Sequence, residues 1–390
     1  MPIVNRIAEF QAEMTAWRRR IHAHPETAFD ERETSAFVAA QLASFGFEVH
    51  RGLARTGVVG TLKGSGPERR AIALRADMDA LPIEEKNGFA HASNVPGKMH
   101  ACGHDGHTAM LLGAARYLAE TRNFAGTVHL IFQPAEENEG GGRVMVEEGL
   151  FAKFPVEAVY GMHNWPGLPV GQFAVKPGPM LAAFDLFEIA VLGKGAHAGL
   201  PHQSIDPVIA AAQIAVALQT VTSRNIHPLE SAVLSITQIH GGDTWNVIPD
   251  RVVLRGTTRS FKPEVQDQIE AAVGRIARGV AEAMGARVEL RYERRYPATV
   301  NSPTETATAV EVASAVVGAE HVERNVQPTM GAEDFAFMLR EKPGCYIFIG
   351  NGAGNASAGL HMPRYDFNDE ILPIGASYWA RLVECVLARG

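Results

Sequence analysis

The chain has 390 residues, 46% of them hydrophobic and 20% charged, which is enough for two or more packed cores and excludes a single small module. Lys and Arg total 36 against 43 Asp and Glu, a formal net charge of -7, the wrong sign for a partner as acidic as nucleic acid. Cys102, Cys345 and Cys385 are too few and too scattered for a disulfide framework, and no apolar run is long enough to span a bilayer. A reduced, cytoplasmic compartment and no membrane partner are expected.

Residues 1–20 carry Ile3, Ile7, Phe10, Met14 and Trp17 at helical spacing with charged residues between them, which predicts an amphipathic helix, not a signal peptide. From residue 57 to about 180, short β-branched runs alternate with helical stretches (GVVGTLKG, AIALRAD, GHTAMLLGAARYLAE, GTVHLIFQP, AVYGMHNW). That alternation predicts an α/β layer fold. A second unit follows: strand 184–192, helix 206–222, strands 232–240 and 251–260, helix 263–284 and strand 286–294. Its β-α-β-β-α-β order is the ferredoxin-like split motif. Helices near 304–317 and 332–340, the strand CYIFIG and a last helix from about 370 to 388 then resume the first fold. The reading is a two-domain α/β chain, 1–182 with 296–390 forming one domain and 183–295 inserted into it.

The densest set of ligand-type side chains is His100-Ala101-Cys102-Gly103-His104-Asp105-Gly106-His107, between a loop and a helix that Asp105 can cap. Cys-x-His places a thiolate and an imidazole on one turn, and both bind borderline metals such as zinc, cobalt, nickel or manganese; in isolation the same pattern is also a buried cysteine beside surface histidines. GTVHLIFQPAEENEGGG runs from a strand through Pro134 into Glu136 and Glu137, at a strand's carboxyl end, where α/β sheets place ligands. Of two adjacent acids one can bind a metal while the other removes a proton from water, although most such pairs are solvated loops. His163 ends the strand VYGMHNW, and His361 follows a Gly, Ala and Asn loop; each is weak by itself. There is no GK[ST] loop, no Gly-x-Ser-x-Gly elbow and no His-Glu-x-x-His, so phosphate cradling and serine hydrolysis do not compete.

With these residues in view the chain resembles the M20-type metallopeptidase and aminoacylase superfamily, in particular the amidohydrolase branch of hippurate hydrolases, N-acetyl amino acid deacylases and auxin-conjugate hydrolases. The resemblance runs through RRRIHAHPE (18–26), RADMDALPI (75–83), MHACGHDGHTAMLLG (99–113), FQPAEE (132–137), GMHNWPG (161–167), KGAHAGLPH (194–202), WNVIPD (245–250), GTTRSF (256–261), GAEDF (331–335) and LHMP (360–363). It implies a metallopeptidase-like catalytic domain with an inserted lid and dimerisation domain, and two divalent metal ions held by Cys102, His104, Glu137, His163 and His361, with Cys102 between them. It further implies Glu136 as general base, Asp77 orienting a ligand imidazole from behind, His197 and Asn246 facing the carbonyl oxygen, and Arg259 on the substrate carboxylate. Left to the residues alone, His197 is an exposed loop residue, Asn246 shapes a turn before Pro249, and Arg259 pairs with an acidic neighbour.

Many relatives in that superfamily start the site with His-x-Asp and bridge the metals with Asp, where this chain has Arg75-Ala76-Asp77 and Cys102. His100 and His107 are expected near the site without assigned roles, and His22, His24, His91, His129, His227, His240 and His321 as structural or solvated. The implied substrate is a small N-acyl amino acid, and the apolar helix expected over 206–222 predicts a homodimer or higher homo-oligomer through the inserted domain. Dipeptidase or carboxypeptidase action and a non-catalytic metal-binding protein are the alternatives.

Overall fold

The computed structural model describes residues 4–352 and 359–389, the side chains of 67–69 apart. The chain divides into two compact units, one of residues 4–180, 300–327 and 334–389 and one of 181–299 with 328–333.

The first unit is built on an eight-stranded mixed sheet in the order Glu48–Leu53, Gly57–Lys63, Ala125–Gln133, Gly66–Asp77, Ala158–Pro166, Gly344–Gly352, Phe173–Ala174, Val322–Glu323. Its four central strands, Ala125–Gln133 through Gly344–Gly352, run parallel. They read as unbroken apolar runs because they are covered on both faces: Ile72, Leu74 and Ala76 are buried, and so are Ala73, Arg75 and Asp77 between them. The helices Gln11–Ala23, Arg32–Ser44, His104–Thr121, Pro303–Val317 and Leu372–Val386 pack around one apolar core that includes Met14, Leu42, Leu111, Val312 and Trp379. The carboxyl ends of the parallel strands all lead to candidate site residues: Asp77, Gln133 before Glu136, and His163 within the last turns of its strand.

In the second unit four antiparallel strands stand in the order Ala232–His240, Arg251–Ser260, Ala183–Leu192, Arg287–Tyr296, with the helices Pro207–Leu218 and Pro263–Ala283 packed on the sheet. Helix Pro263–Ala283 buries Val265, Ile269, Ala272, Val273 and Ala277, the spacing of one helical face, against Phe187, Ile189, Val191 and Leu254. Asp206 caps the other helix, its Oδ1 accepting from the N–H groups of Val208 and Ile209, with Pro207 at the first position.

Three local expectations are revised. The N-terminal helix is broken into Asn5–Ala8 and Gln11–Ala23, and Ile3 lies outside the described residues. The helix expected over 206–222 ends at Leu218 and passes into a π turn, Val221–Asn225. Asp105 does not cap: the helix begins at His104 after Gly103, and the Asp105 carboxylate turns inward to His22 Nδ1 at 2.9 Å. Its Oδ2 thereby pairs with a buried imidazole, while Oδ1 has no hydrogen-bond partner among the described residues.

Candidate metal centre

The proposed ligands come from four separate pieces of backbone. Cys102 and His104 flank Gly103, which has φ 105°; a Cβ there would lie 2.2 Å from Asn164 Oδ1 and 2.7 Å from Tyr365 Oη, so only glycine lets the turn press this close to the His163 strand. Glu136 and Glu137 leave their strand through Ala135, a non-glycine residue at φ 55°, which costs roughly 1–2 kcal/mol. His361, also left-handed at φ 62°, is tied back by its N–H to the Ala101 carbonyl at 2.7 Å. The Gly, Ala and Asn loop at 353–358 lies outside the described residues.

The donor atoms converge in overlapping trios. Those of Cys102, His104 and His163 all lie within 4.8 Å of one another, as do those of Cys102, Glu137 and His361, and those of His104, Glu136 and Glu137. Cys102 belongs to two of the trios, one fully buried and one reaching the half-exposed His361. Its Sγ is 3.4 Å from His163 Nε2, and Glu137 Oε1 is 3.2 Å from His361 Nε2.

The ring nitrogens facing away from the cluster are fixed by hydrogen bonds. His163 Nδ1 donates to its neighbour's carbonyl, Asn164 O, at 2.6 Å, and His104 Nδ1 donates to Asp79 O at 2.9 Å, with Asp79 Oδ1 at 3.1 Å. Both imidazoles therefore turn Nε2 inward. Among the described residues His104 Nε2 is buried without a hydrogen-bond partner, and Glu137 Oε1 has only the contact with His361. An unpartnered buried imidazole nitrogen beside a thiol, a carboxylate and two further imidazoles fits a divalent cation well, because coordination would satisfy it.

Electrostatics points the same way. Burial and the charges of Glu137, Glu136 and Asp77 push the Cys102 thiol well above its usual value. A thiolate at this position needs a cation to offset those carboxylates. Burial would lower His104, but Asp77, Asp79 and Glu137 outweigh it and hold the imidazole up to about 10. A cation bound there would answer the same negative charge. His163, with no carboxylate bonded to it, is held well below the usual histidine range by burial and by His107.

Asp77 lies fully buried beneath the cluster, with Oδ1 2.6 Å from His107 Nδ1, Oδ2 2.6 Å from the Arg75 guanidinium and the same Oδ2 3.8 Å from His104 Nε2. The aspartate bonded to the His104 imidazole is Asp79, which the sequence reading did not single out. Asp79 also accepts the Glu137 N–H at 2.9 Å. His107 is spoken for on both sides, by Asp77 and by Asn164 Oδ1 at 2.8 Å, and orders the strand end that carries His163. Arg75, in the place of the superfamily's first imidazole, is buried and reaches Gln133 Oε1, Asp77 and Asp334 Oδ1, so it neutralises acids and offers no ligand. His100 is buried with neither ring nitrogen bonded among the described residues.

His197, Asn246 and Arg259 belong to the second unit. The short strands Ala196–His197 and Val247–Ile248 pair with His197 opposite Val247, and Ala198 N–H bonds the Asn246 carbonyl at 2.9 Å, so His197 and Asn246 share one exposed hairpin. His197 Nδ1 accepts the Gly199 N–H at 3.0 Å, which leaves the neutral ring's proton on Nε2, a free donor. Arg259 is half-buried with its guanidinium 4.2 Å over the Phe184 ring, and no ion pair or hydrogen bond of its side chain is found among the described residues.

A mixed α/β unit with a dinuclear-type ligand cluster at its strand ends and an inserted four-stranded unit defines a metallohydrolase architecture. The chain belongs to peptidase family M20/M25/M40, whose model matches residues 73–384. Over 382 residues it is 40% identical to a hippurate hydrolase of Campylobacter jejuni, covering 98% of each chain, and 41% identical to an N-acetylcysteine deacetylase of Bacillus subtilis, covering 97% of this chain and 98% of the other. The solved structure of the Bacillus subtilis YxeP protein, described as a dinuclear metal binding peptidase of family M20, superposes with a TM-score of 0.84 at 36% identity, covering 97% of this chain and 99% of that one.

Proposed function

We propose that the chain is a metal-dependent amidohydrolase that splits N-acyl amino acids into a carboxylic acid and a free amino acid. The observation that carries this reading is the pair of donor trios sharing Cys102 beside the buried carboxylate of Glu136, in a chain whose relatives are hippurate hydrolase and N-acetylcysteine deacetylase. Cys102, His104, Glu137, His163 and His361 would hold two ions of zinc, manganese, cobalt or nickel. Bound there, such ions polarise a carbonyl and lower the pKa of water.

An amide resists hydrolysis because its carbonyl is a weak electrophile and its amine a poor leaving group. Glu136 takes the proton of the attacking water and returns it to the departing nitrogen. His197 Nε2–H donates to the carbonyl oxygen as charge develops on it, with Asn246 beside it on the hairpin. Arg259 grips the amino acid carboxylate with its planar fork and keeps the scissile bond in register. A pure metal-binding role would need the ligands but not Glu136.

The second unit exposes Val208, Ile209 and Val216 on helix Pro207–Leu218, an apolar face suited to a homodimer through that unit. Among the described residues no helix is long and apolar enough to cross a membrane, and the three cysteines are free, which supports a reduced cytoplasmic setting.

Peptide cleavage is the second reading, favoured by the description of YxeP as a peptidase. Reconstituted with each metal in turn, the enzyme is assayed on N-benzoyl- and N-acetyl-amino acids against dipeptides with the same carboxyl-terminal residue. The N-acyl compounds are expected to be turned over at least about tenfold faster, since a free α-amine would call for an acidic partner that an N-acyl group does not need. Faster dipeptide cleavage would overturn the substrate assignment.

A further inference from the structure

Glu31 precedes helix Arg32–Ser44 and occupies its N-cap position, where an acid ordinarily bonds the first free amides. Here it does not. Those amides are taken by Glu26 from upstream, its two carboxylate oxygens accepting from Glu33 N–H at 3.0 Å and Thr34 N–H at 2.9 Å. The Glu31 side chain, with no exposed surface, is turned the other way. Its Oε1 accepts from Ala135 N–H at 2.9 Å and from Phe29 N–H at 3.0 Å, and its Oε2 from Thr56 Oγ1–H at 2.6 Å.

These partners share a backbone peculiarity. Ala135 has φ 55°, Phe29 φ 62°, and Thr56 follows Ala54 and Arg55 at φ 47° and 69°. One buried carboxylate thus sits where three left-handed turns meet. Residues held in that region persist only where their surroundings over-determine them. Ala135 is fully buried, so without Glu31 its N–H would lose this acceptor and the turn would keep only the Gly141 N–H on the Ala135 carbonyl at 2.9 Å. On the other side of Glu136, the Glu137 N–H is held by Asp79. The Pro134–Ala135 peptide, one residue before Glu136, and the Glu136–Glu137 peptide are therefore each held by a buried acid from a distant part of the chain.

We propose that Glu31 is a positioning residue for Glu136, its carboxylate holding the left-handed Ala135 turn that presents Glu136 to the site. The inference rests on Glu136 being the general base. Glutamine at position 31 can keep the geometry: its oxygen accepts the two N–H groups while its amide donates to Thr56 Oγ1. Alanine cannot, and aspartate is one methylene short of reaching all three donors.

The metal-loaded full chain is measured as wild type, Glu31→Ala, Glu31→Asp and Glu31→Gln, with N-benzoylglycine as substrate, elemental analysis of metal content, and amide hydrogen exchange. For Glu31→Ala and Glu31→Asp, kcat should fall roughly 10- to 100-fold with KM changed less than about threefold, the signature of a displaced catalytic group. Metal content should stay at the wild-type level, and exchange should rise selectively over residues 133–141. Glu31→Gln should restore kcat to within about fivefold of wild type. If alanine does not fold, the aspartate and glutamine variants decide alone. Wild-type kcat in Glu31→Asp, loss in Glu31→Gln as deep as in Glu31→Asp, or exchange raised throughout the chain would each overturn the proposal. Because exchange over 133–141 reports the turn whether or not Glu136 is the base, a turnover-competent Glu136→Gln enzyme would sink that assignment while leaving the Glu31 contact separately measured.

Discussion

The Cys102 cluster and the His197 hairpin differ most in how completely their side chains are held. In the cluster, His104, His107, His163 and Asp77 are buried, and their outward atoms are bonded, His104 to Asp79, His107 to Asp77 and Asn164, His163 to a backbone carbonyl. On the second unit, His197 and Asn246 are exposed, and Arg259 lies on Phe184 with no ion pair of its side chain among the described residues. Metal ligands must be oriented before the ion arrives, because buried donors cannot be left to search. Groups meant for a transient substrate must be left open, because a standing partner would compete with it.

Removing a member of the held region should do the most damage. Cys102→Ala is expected to lose bound metal and all measurable turnover together, since Cys102 belongs to two of the three donor trios; wild-type metal content by elemental analysis would remove Cys102 from the ligand set. Glu136→Gln should keep its metal yet lose turnover by roughly 10²- to 10⁴-fold, the usual contribution of a general base.

The open region is probed by two smaller effects. His197→Ala should cost about 10²- to 10³-fold, as loss of one oxyanion donor does. Mixing it with Glu136→Gln asks where the histidine acts: if His197 reaches the partner's site, heterodimers regain one working centre, whereas proven heterodimers that stay inactive place it within its own subunit. Arg259→Ala should slow an N-acyl amino acid about 30-fold or more, the equivalent of the ~2 kcal/mol that removing a charged partner costs, and leave the carboxylate-blocked amide nearly unchanged. Equal losses on both would give Arg259 a structural role.

The smallest expected effect is on stability and returns to the first unit. Burial and the charge of Asp79 raise Glu31 to about 7, against its hydrogen bonds, from an ordinary value of 4.5. A carboxyl raised in the folded state favours folding when protonated, so its contribution is present below the unfolded value and is lost as pH climbs from about 4.5 to 7. Glu31→Gln should therefore gain roughly 2–4 °C in melting temperature at pH 8 relative to its difference from wild type at pH 5. A difference independent of pH would show that Glu31 keeps an ordinary pKa.

Much of this was legible in the sequence because periodicity and spacing are local. The alternation of AIALRAD and GTVHLIFQP gave the parallel strands, and Cys102-x-His104 and Glu136-Glu137 lay close enough together to be read as pairs. What was illegible is non-local or conformational. Asp79 sits just past a strand in a motif already noticed for Asp77, and two acids two residues apart are indistinguishable until the strand ends between them. Glu31 looks like any helix cap; only the diversion of Glu26 into that duty frees it. Asp105 failed as a cap for the converse reason, that His22, far upstream in sequence, outbids the helix amides.

The order of strands also sets a timetable for biosynthesis. Strand Gly344–Gly352 lies between Ala158–Pro166 and Phe173–Ala174, strands made far earlier, and His361 follows it. Until that strand emerges the first sheet therefore lacks the sixth of its eight strands, and His361 is not yet made. Residues 181–299, by contrast, contain a whole sheet with both its helices and can close as soon as they emerge. The nascent chain thus carries an insert whose sheet is complete within a host sheet that is not.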